Sequence, residues 1–338
     1  MSLVMIFEAL LLLLRVDNRP GNRYVLWRKL HACAIFVFVE ELTLEANEIY
    51  QILAKLNFSH TVTSITQFCR EEDGSPYDVW KIETDNITAV LKKTSVEERT
   101  TCEAFFPYGG CGILTIYGFT EHDGETYMLM EFFEGETMSH STREKLILAL
   151  DALIQTQAKF WGSIDLADAG WTFDKRHAAR KKRLAYMEDL SDAYEAYLEA
   201  DRSVPRTLCN DDLLPFNVLV NVDQAVIIDW EFAGILPYPC ALARLLAFGE
   251  ENTDFMFQMS LADKEFAVQY YYDHLIRSKG ISWDEFIQTM KLFFFKEYSE
   301  WVYFARSSND FTKPEYQKYY AKCKILANSL GLYKEETR

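Results

Sequence analysis

The sequence predicts an α+β chain of two lobes, an antiparallel five-stranded sheet with one helix followed by a mainly helical part that carries a single β-hairpin. Alternating apolar and polar residues dominate positions 60–132, helical spacing takes over beyond Ser141, and two short β-branched runs recur at 218–220 and 225–228. With 338 residues and 49% hydrophobic content, the chain is long enough for two sizeable cores and is not composed like a disordered one.

Residues 1–42 read as an N-terminal extension, 43–132 as the first lobe and 133–338 as the second. The extension has an apolar run over 3–14, a polar Asp17-Asn18-Arg19-Pro20-Gly21-Asn22 break with turn composition, and a second apolar run over 32–39. An added hairpin, a helix packed on the first lobe, or a segment foreign to the fold all fit it. Its first apolar run is interrupted by Glu8, lacks the basic flank of a signal peptide and is too short to span a bilayer.

From Thr43, the expected cap, Leu44, Ile49, Ile52, Leu53 and Leu56 fall at helical spacing. Strands are then expected over 60–70, 77–84 and 87–92, a helix over 95–106, and strands over 112–120 and 126–132. Turns fall at Glu71-Glu72-Asp73-Gly74-Ser75-Pro76 and at Glu121-His122-Asp123-Gly124. Past Ser141, Leu146, Leu150, Leu153 and Ile154 mark a helix running into Trp161. The run 175–183 is strongly basic and reads as a solvated helix face in preference to a phosphate or partner site. Further helices are marked by Phe255, Phe266, Tyr270, Phe286, Phe293 and Trp301.

The chemistry concentrates between Cys209 and Gly234, in CNDDLLPFNVLVNVDQAVIIDWEFAG. The polar link Asn221-Val222-Asp223-Gln224 has turn composition, and a turn centred near Asp223 sets Asn217 opposite Asp229, with Cβ atoms roughly 5 Å apart. A slip of one residue in register would send one of the two to the other face. Asp212 approaches the same edge from a segment bent by Pro215. A carboxylate beside an amide oxygen suits magnesium, which takes oxygen ligands and bridges protein carboxylates to substrate phosphates. Asp212 is then left to orient and deprotonate an attacking hydroxyl. The alternative is that all three are ordinary polar residues of a turn.

This segment resembles the core of the aminoglycoside phosphotransferase and choline kinase-like family, small-molecule kinases of bilobal protein-kinase-like fold whose motif reads H-x-D-x-x-x-x-N, a hydrophobic strand, then I-D-W/F-E. The resemblance implies that Asp212 is the catalytic aspartate and that Asn217 and Asp229 are the metal ligands. Leu242-Ala243-Arg244-Leu245-Leu246 follows where the family carries D-L-A-R-L, and Thr156-Gln157-Ala158-Lys159-Phe160-Trp161 resembles its L-H-A-x-F-W helix. The chain departs from the pattern at Asn210, where the family has a histidine that braces the loop, and at Ala241, where it has an aspartate.

The same resemblance assigns a nucleotide site. Ala89-Val90-Leu91-Lys92 has the form of the family's V-x-x-K strand, so Lys92 would pair with the α- and β-phosphates, with Lys93 the fallback because alternation turns only one of them inward. On the helix that follows, Glu103 is the acid expected to hold the lysine, with Glu97 and Glu98 as competitors. The turn around Gly74 and Ser75 would cover the phosphates, although it is no G-x-G-x-x-G. Glu131, Phe132 and Phe133 would form the hinge whose backbone binds adenine, with Gly135 letting the chain leave the sheet. Trp283, Trp301 and Tyr303 are the aromatic candidates for an acceptor pocket, where cation–π attraction contributes about 0.5–2 kcal/mol per contact.

A formal charge of −16 argues against nucleic acid or an anionic membrane as a partner and favours a cationic substrate, unless the surface acid serves only solubility. The seven cysteines are scattered without C-x-x-C spacing, which points to a reducing cytoplasm and no structural zinc. The expectation is a cytoplasmic O-phosphotransferase, monomer or homodimer, that uses ATP, or GTP, with magnesium to phosphorylate a hydroxyl of a small amine-bearing molecule of aminoglycoside or choline type. The alternative is a catalytically weak or inactive nucleotide-binding protein that keeps the fold, and a protein kinase is disfavoured because no A-P-E motif follows Asp229.

Overall fold

Each strand of the first lobe is bounded by a local signal that the chain obeys. The computed structural model describes residues 46–70, 74–108, 112–164, 172–249 and 257–333. The extension over 1–42, the Thr43 cap and turn residues 71–73 lie outside the described residues. Helix α1 (Ala46–Lys55) buries Ile49, Ile52 and Leu53. Strands β1 (Val62–Cys69), β2 (Pro76–Thr84), β3 (Thr88–Thr94), β4 (Ile116–His122) and β5 (Glu125–Glu131) form one antiparallel sheet in the order β1-β2-β3-β5-β4. Between β3 and β4 lies helix α2 (Val96–Phe105), whose N-cap Ser95 accepts a hydrogen bond from the Glu98 amide.

Two expected boundaries shift. The β4–β5 turn is the tight pair Asp123-Gly124, both with positive φ (51° and 82°), and His122 and Glu125 already pair in the ladder. Two consecutive left-handed residues match the twist of the flanking strands, so a four-residue loop is unnecessary. Strand β4 begins at Ile116 rather than Gly112, because Gly112 takes φ +81° and turns its segment away from the sheet. The Gly112 carbonyl instead accepts from the Ile227 amide at 2.8 Å, and Ile113 bridges Ile227 in parallel.

The second lobe is mainly helical. Helix α3 (Arg143–Phe160), capped by Thr142, buries Leu146, Leu150, Leu153 and Ile154, and Gln157 on it is wholly enclosed. Gln157 donates to the Tyr238 carbonyl at 3.1 Å and accepts from the Tyr271 hydroxyl, so it ties α3 to two segments far along the chain. Helices α4 (Phe173–Arg183) and α5 (Ser191–Ser203) follow, then strand β7 (Arg206–Asn210) paired with β10 (Ala233–Pro237). Between them, β8 (Val218–Val220) and β9 (Ala225–Ile227) form the hairpin, which β6 (Glu136–Thr137) joins at one edge. Gly135 is needed there for room, since a Cβ would lie 2.8 Å from the Val220 carbonyl oxygen. Helices α6 (Pro239–Leu246), α7 (Leu261–Tyr271), the long α8 (Trp283–Ser307) and α9 (Pro314–Ser329) complete the fold. No helix among the described residues is long and apolar enough to cross a membrane.

Gly112 is the position where backbone and packing constraints coincide. An added Cβ would meet Ala152 Cβ of α3 at 2.7 Å on top of the positive φ. Gly112→Ala is expected to lower the unfolding free energy by about 2–3 kcal/mol, checked by urea denaturation.

Candidate active site

The site is assembled from one strand, one helix and the loops at both ends of the hairpin. Strand β3 turns Lys92 inward and Lys93 outward, where Lys93 reaches Glu125 at 3.1 Å. The Lys92 Nζ lies 2.9 Å from Glu98 Oε1 and 2.9 Å from Asp229 Oδ1. Burial works against its charge, but the carboxylates of Asp229 and Glu98 outweigh it and hold the ammonium above the ordinary lysine range.

The partner of Lys92 on α2 is therefore Glu98, not Glu103. Ser95 and Glu98 have the spacing of a capping box, a pattern in which the glutamate ordinarily folds back onto the cap. Here the Ser95 hydroxyl does cap the Glu98 amide, while the Glu98 carboxylate is 2% exposed and turned to Lys92, to the Thr94 hydroxyl at 2.5 Å and to the Trp230 amide at 3.1 Å. Glu103 lies on the outer face, paired with Arg99 at 2.9 Å. A helix that starts directly after β3 brings its first turn, and not its last, over the lysine.

The hairpin register differs by one residue from the expected pairing. Val218 pairs with Ile227 and Val220 with Ala225, and the Ile228 amide donates to the Asn217 carbonyl at 2.9 Å, so Asn217 faces Ile228. The cause lies in the turn, where Asn221 Oδ1 accepts from the amides of Asp223 and Gln224 and the Asn221 amide closes onto Gln224. Asp229 follows in a left-handed conformation (φ 59°, ψ 68°), which redirects its side chain out of strand alternation toward Lys92. Asn217, 5% exposed, donates its amide N–H to the Asp212 carbonyl at 2.9 Å, which leaves the amide oxygen as the atom it could offer a cation. Asp212 Oδ1 receives both Nε (3.1 Å) and Nη2 (2.6 Å) of Arg244 from α6.

Beneath this loop lies a set of buried charges that periodicity alone does not reveal. Asp211 receives Arg176 (3.2 Å) and Arg180 (2.7 Å) from α4 and Lys296 (3.3 Å) from α8. Arg180 also binds Asp201, which His177 meets from its other side at 2.7 Å. Arg244 continues to Glu297 at 3.0 Å, Lys296 pairs with Glu297 at 2.7 Å and Arg183 with Glu300 at 2.9 Å. The basic run on α4 is thus not wholly a solvated face: Arg176, His177 and Arg180 are buried while Lys175, Lys181 and Lys182 are exposed. Their spacing at i, i+1 and i+4 on one helix face was the available signal.

The remaining candidates occupy distinct places. Ser75 closes the β1–β2 turn by accepting the Arg70 amide on its carbonyl at 2.8 Å. Glu131 and Phe132 stand where β5 ends, Glu131 bonded to the Thr115 backbone and Phe132 with Lys81 5.0 Å from its ring. The Phe133 side chain is buried with Leu114 and Val226, so this hinge can offer a nucleotide its backbone while that ring packs inward. Trp283 and Trp301 stand at opposite ends of α8, roughly 27 Å apart along a straight helix, so they cannot line one small pocket. Trp301 packs on the buried rings of Phe248 and Tyr319, and the Phe248 ring faces the Arg244 guanidinium at 5.4 Å, so this aromatic group is core packing behind Arg244. Tyr303 instead meets Tyr186 edge-to-face and has the Arg183 guanidinium over its ring. Glu231, not singled out from sequence, has its carboxyl pushed up to about 7 by burial and by the charges of Asp229 and Glu98.

Residues 107–272 match the sequence pattern of the phosphotransferase enzyme family. No protein of curated function matches the sequence. Among solved structures, a thermostable mutant of an aminoglycoside phosphotransferase in ternary complex with ADP and hygromycin B superposes with a TM-score of 0.55 at 15% identity, covering 84% of this chain and 99% of that one. An aminoglycoside phosphotransferase from Alicyclobacillus acidocaldarius gives 0.51 at 14% identity, covering 81% and 92%. A choline kinase from Cryptosporidium parvum Iowa II gives 0.53 at 12% identity, covering 85% and 98%. At these identities the three share the fold, the bilobal kinase-like arrangement of a five-stranded sheet over a helical lobe.

Two outcomes follow from the buried charges. Arg180→Met strands Asp201 and Asp211 with fewer partners and is expected to cost about 3–5 kcal/mol of unfolding free energy in chemical denaturation. Because the folded state raises the Glu231 pKa, it binds that proton more tightly than the unfolded chain, and the stability so gained is lost as pH rises from about 4.5 through about 7. Glu231→Gln should therefore raise the Tm of the metal-free protein above wild type at pH 8, with the difference vanishing toward pH 4.

Proposed function

We propose a reaction for this chain, whose residues 107–272 match the phosphotransferase enzyme family and whose fold is shared with aminoglycoside phosphotransferases and a choline kinase: magnesium-dependent transfer of the γ-phosphoryl group of ATP to a hydroxyl of a small, amine-bearing acceptor. The observation that carries it is the pair of anchored carboxylates, Asp229 on Lys92 and Asp212 on Arg244, joined through the 210–217 loop.

Lys92, released from Asp229 by the arriving nucleotide, pairs with its phosphates while Glu98 keeps the ammonium in place. Asp229 and the amide oxygen of Asn217 are hard-oxygen donors of the kind magnesium takes and would hold it, and the ion would neutralise charge on the phosphates. Asp212 accepts the proton of the acceptor hydroxyl as its oxygen attacks phosphorus, and ADP leaves with the bridging oxygen. Arg244 holds one oxygen of that carboxylate and fixes its orientation. The Glu131–Phe133 backbone binds the adenine, and the turn at Ser75 lies over the phosphates.

An amine-bearing acceptor is supported by the net charge of −16. A reducing, cytoplasmic setting is supported by Cys69, Cys102, Cys209, Cys240 and Cys323, all free thiols.

Asp212→Asn is expected to lower kcat by about 10²–10⁴ while ATP affinity stays within twofold, measured by coupled ADP release against a panel of amino alcohols, choline and aminoglycosides. Unchanged turnover in that variant would overturn the assignment. Absence of any magnesium-dependent ATP turnover in the wild type, with nucleotide still bound, would favour a non-catalytic nucleotide-binding protein.

A further inference from the structure

Asn210 stands where the sequence pattern leads one to expect a histidine, and its side chain makes three hydrogen bonds between the two functional loops. It ends β7, pairs with Ala233 across the ladder and is 2% exposed. Its Nδ2 donates to the carbonyls of Asp229 (2.9 Å) and Ile228 (3.3 Å), and its Oδ1 accepts the Asp212 amide at 2.9 Å.

These partners have a direct physical meaning. Asp229 is one of few described non-glycine residues with positive φ, a conformation that costs on the order of 1–2 kcal/mol unless neighbours fix it. The two Nδ2 bonds grip the carbonyls immediately before and after the Asp229 Cα and thereby set where its carboxylate points. The Oδ1 bond fixes the peptide that carries Asp212. A neutral imidazole offers one donor and one acceptor, whereas a primary amide offers two donors and an acceptor from one end of a short side chain. One amide therefore serves both loops at once, with a donor to each carbonyl beside the Asp229 Cα and an acceptor for the Asp212 amide.

We infer that Asn210 is a positioning residue that sets the metal-binding geometry of Asp229 and the orientation of Asp212 through one amide, taking over the bracing role instead of losing it. This rests on the proposed kinase reading for the identity of the metal site. The general reason to expect a large effect is that partners which orient ligands affect metal affinity about ten- to hundredfold.

The test titrates magnesium into the full-length wild type, N210A and N210D in the presence of ADP by calorimetry, with kcat and amide exchange at Asp212 followed in parallel. N210A removes all three bonds, and N210D keeps an acceptor for the Asp212 amide but replaces both donors by a charge facing two carbonyls. Both variants should weaken magnesium about ten- to hundredfold with metal-free ADP affinity within twofold, and only N210A should lose protection at the Asp212 amide. A purely structural role would lower Tm and leave the magnesium constant unmoved in the folded protein. If N210A does not fold, N210S, which also lacks the paired donors, takes its place in the titration. Magnesium constants equal to wild type in these variants overturn the inference while leaving the kinase reading intact. A wild type that binds magnesium and ADP without turning over any acceptor refutes the kinase reading and leaves the brace standing, and a wild type with no metal-dependent ADP binding overturns both.

Discussion

A charge taken out of water must meet its opposite at hydrogen-bonding distance, and the 210–217 loop is built on that requirement. Asp211, 8% exposed, is neutralised by Arg176 and Arg180 from one helix and Lys296 from another. Through Glu297 and Arg244 the same network reaches Asp212. Among the described residues it links the cations Arg176, Arg180, Arg183, Arg244 and Lys296 to the carboxylates Asp201, Asp211, Asp212, Glu297 and Glu300, so α4, α5, α6 and α8 cannot shift independently without stranding a buried charge. Such a network adds less to stability than apolar packing of the same volume would, but it fixes one arrangement. A carboxylate proposed to take a proton needs that fixity.

The connection between the lobes uses the same physics on a smaller scale. Glu98 accepts from Lys92 on the sheet, from Thr94 at the strand end and from the Trp230 amide after Asp229. One carboxylate thus reports on helix, sheet and the loop of the proposed metal ligand together. Lys92 in turn shares itself between Glu98 and Asp229, so Asp229 is held ready while its side chain stays partly open to solvent.

Local sequence carried the reading where the physics is local. The five strands, the helix after β3 and the hairpin are each specified by alternation, a cap or turn chemistry, and Asp212, Asn217 and Asp229 fall within one short stretch whose loops draw them together. The misreadings arose where a choice depended on packing. Whether Asn217 faces Ile228 or Asp229 turns on how Asn221 closes a four-residue link. Whether Glu98 or Glu103 meets Lys92 turns on the angle at which α2 leaves the sheet, and Glu98 was disguised as half of a capping box. Gly112 looked like the first residue of a strand because sequence gives no value of φ.

By itself the sequence determined the fold class, the five strands of the first lobe, the catalytic-type hairpin and the resemblance to a phosphotransferase family, because periodicity, caps and the D-x4-N to I-D-W-E spacing are properties of neighbouring residues, whereas the short strands β6, β7 and β10 emerged only in the fold. Tertiary structure alone decided that a basic run over 175–183 is half interior, that Ala241 packs without a carboxylate, and that Asn210 fills the place of the missing histidine with bonds to both loops. The reason is the same in each case. The environment of a polar side chain is set by groups distant in sequence, and only when those converge is it settled whether a charge faces water or a partner.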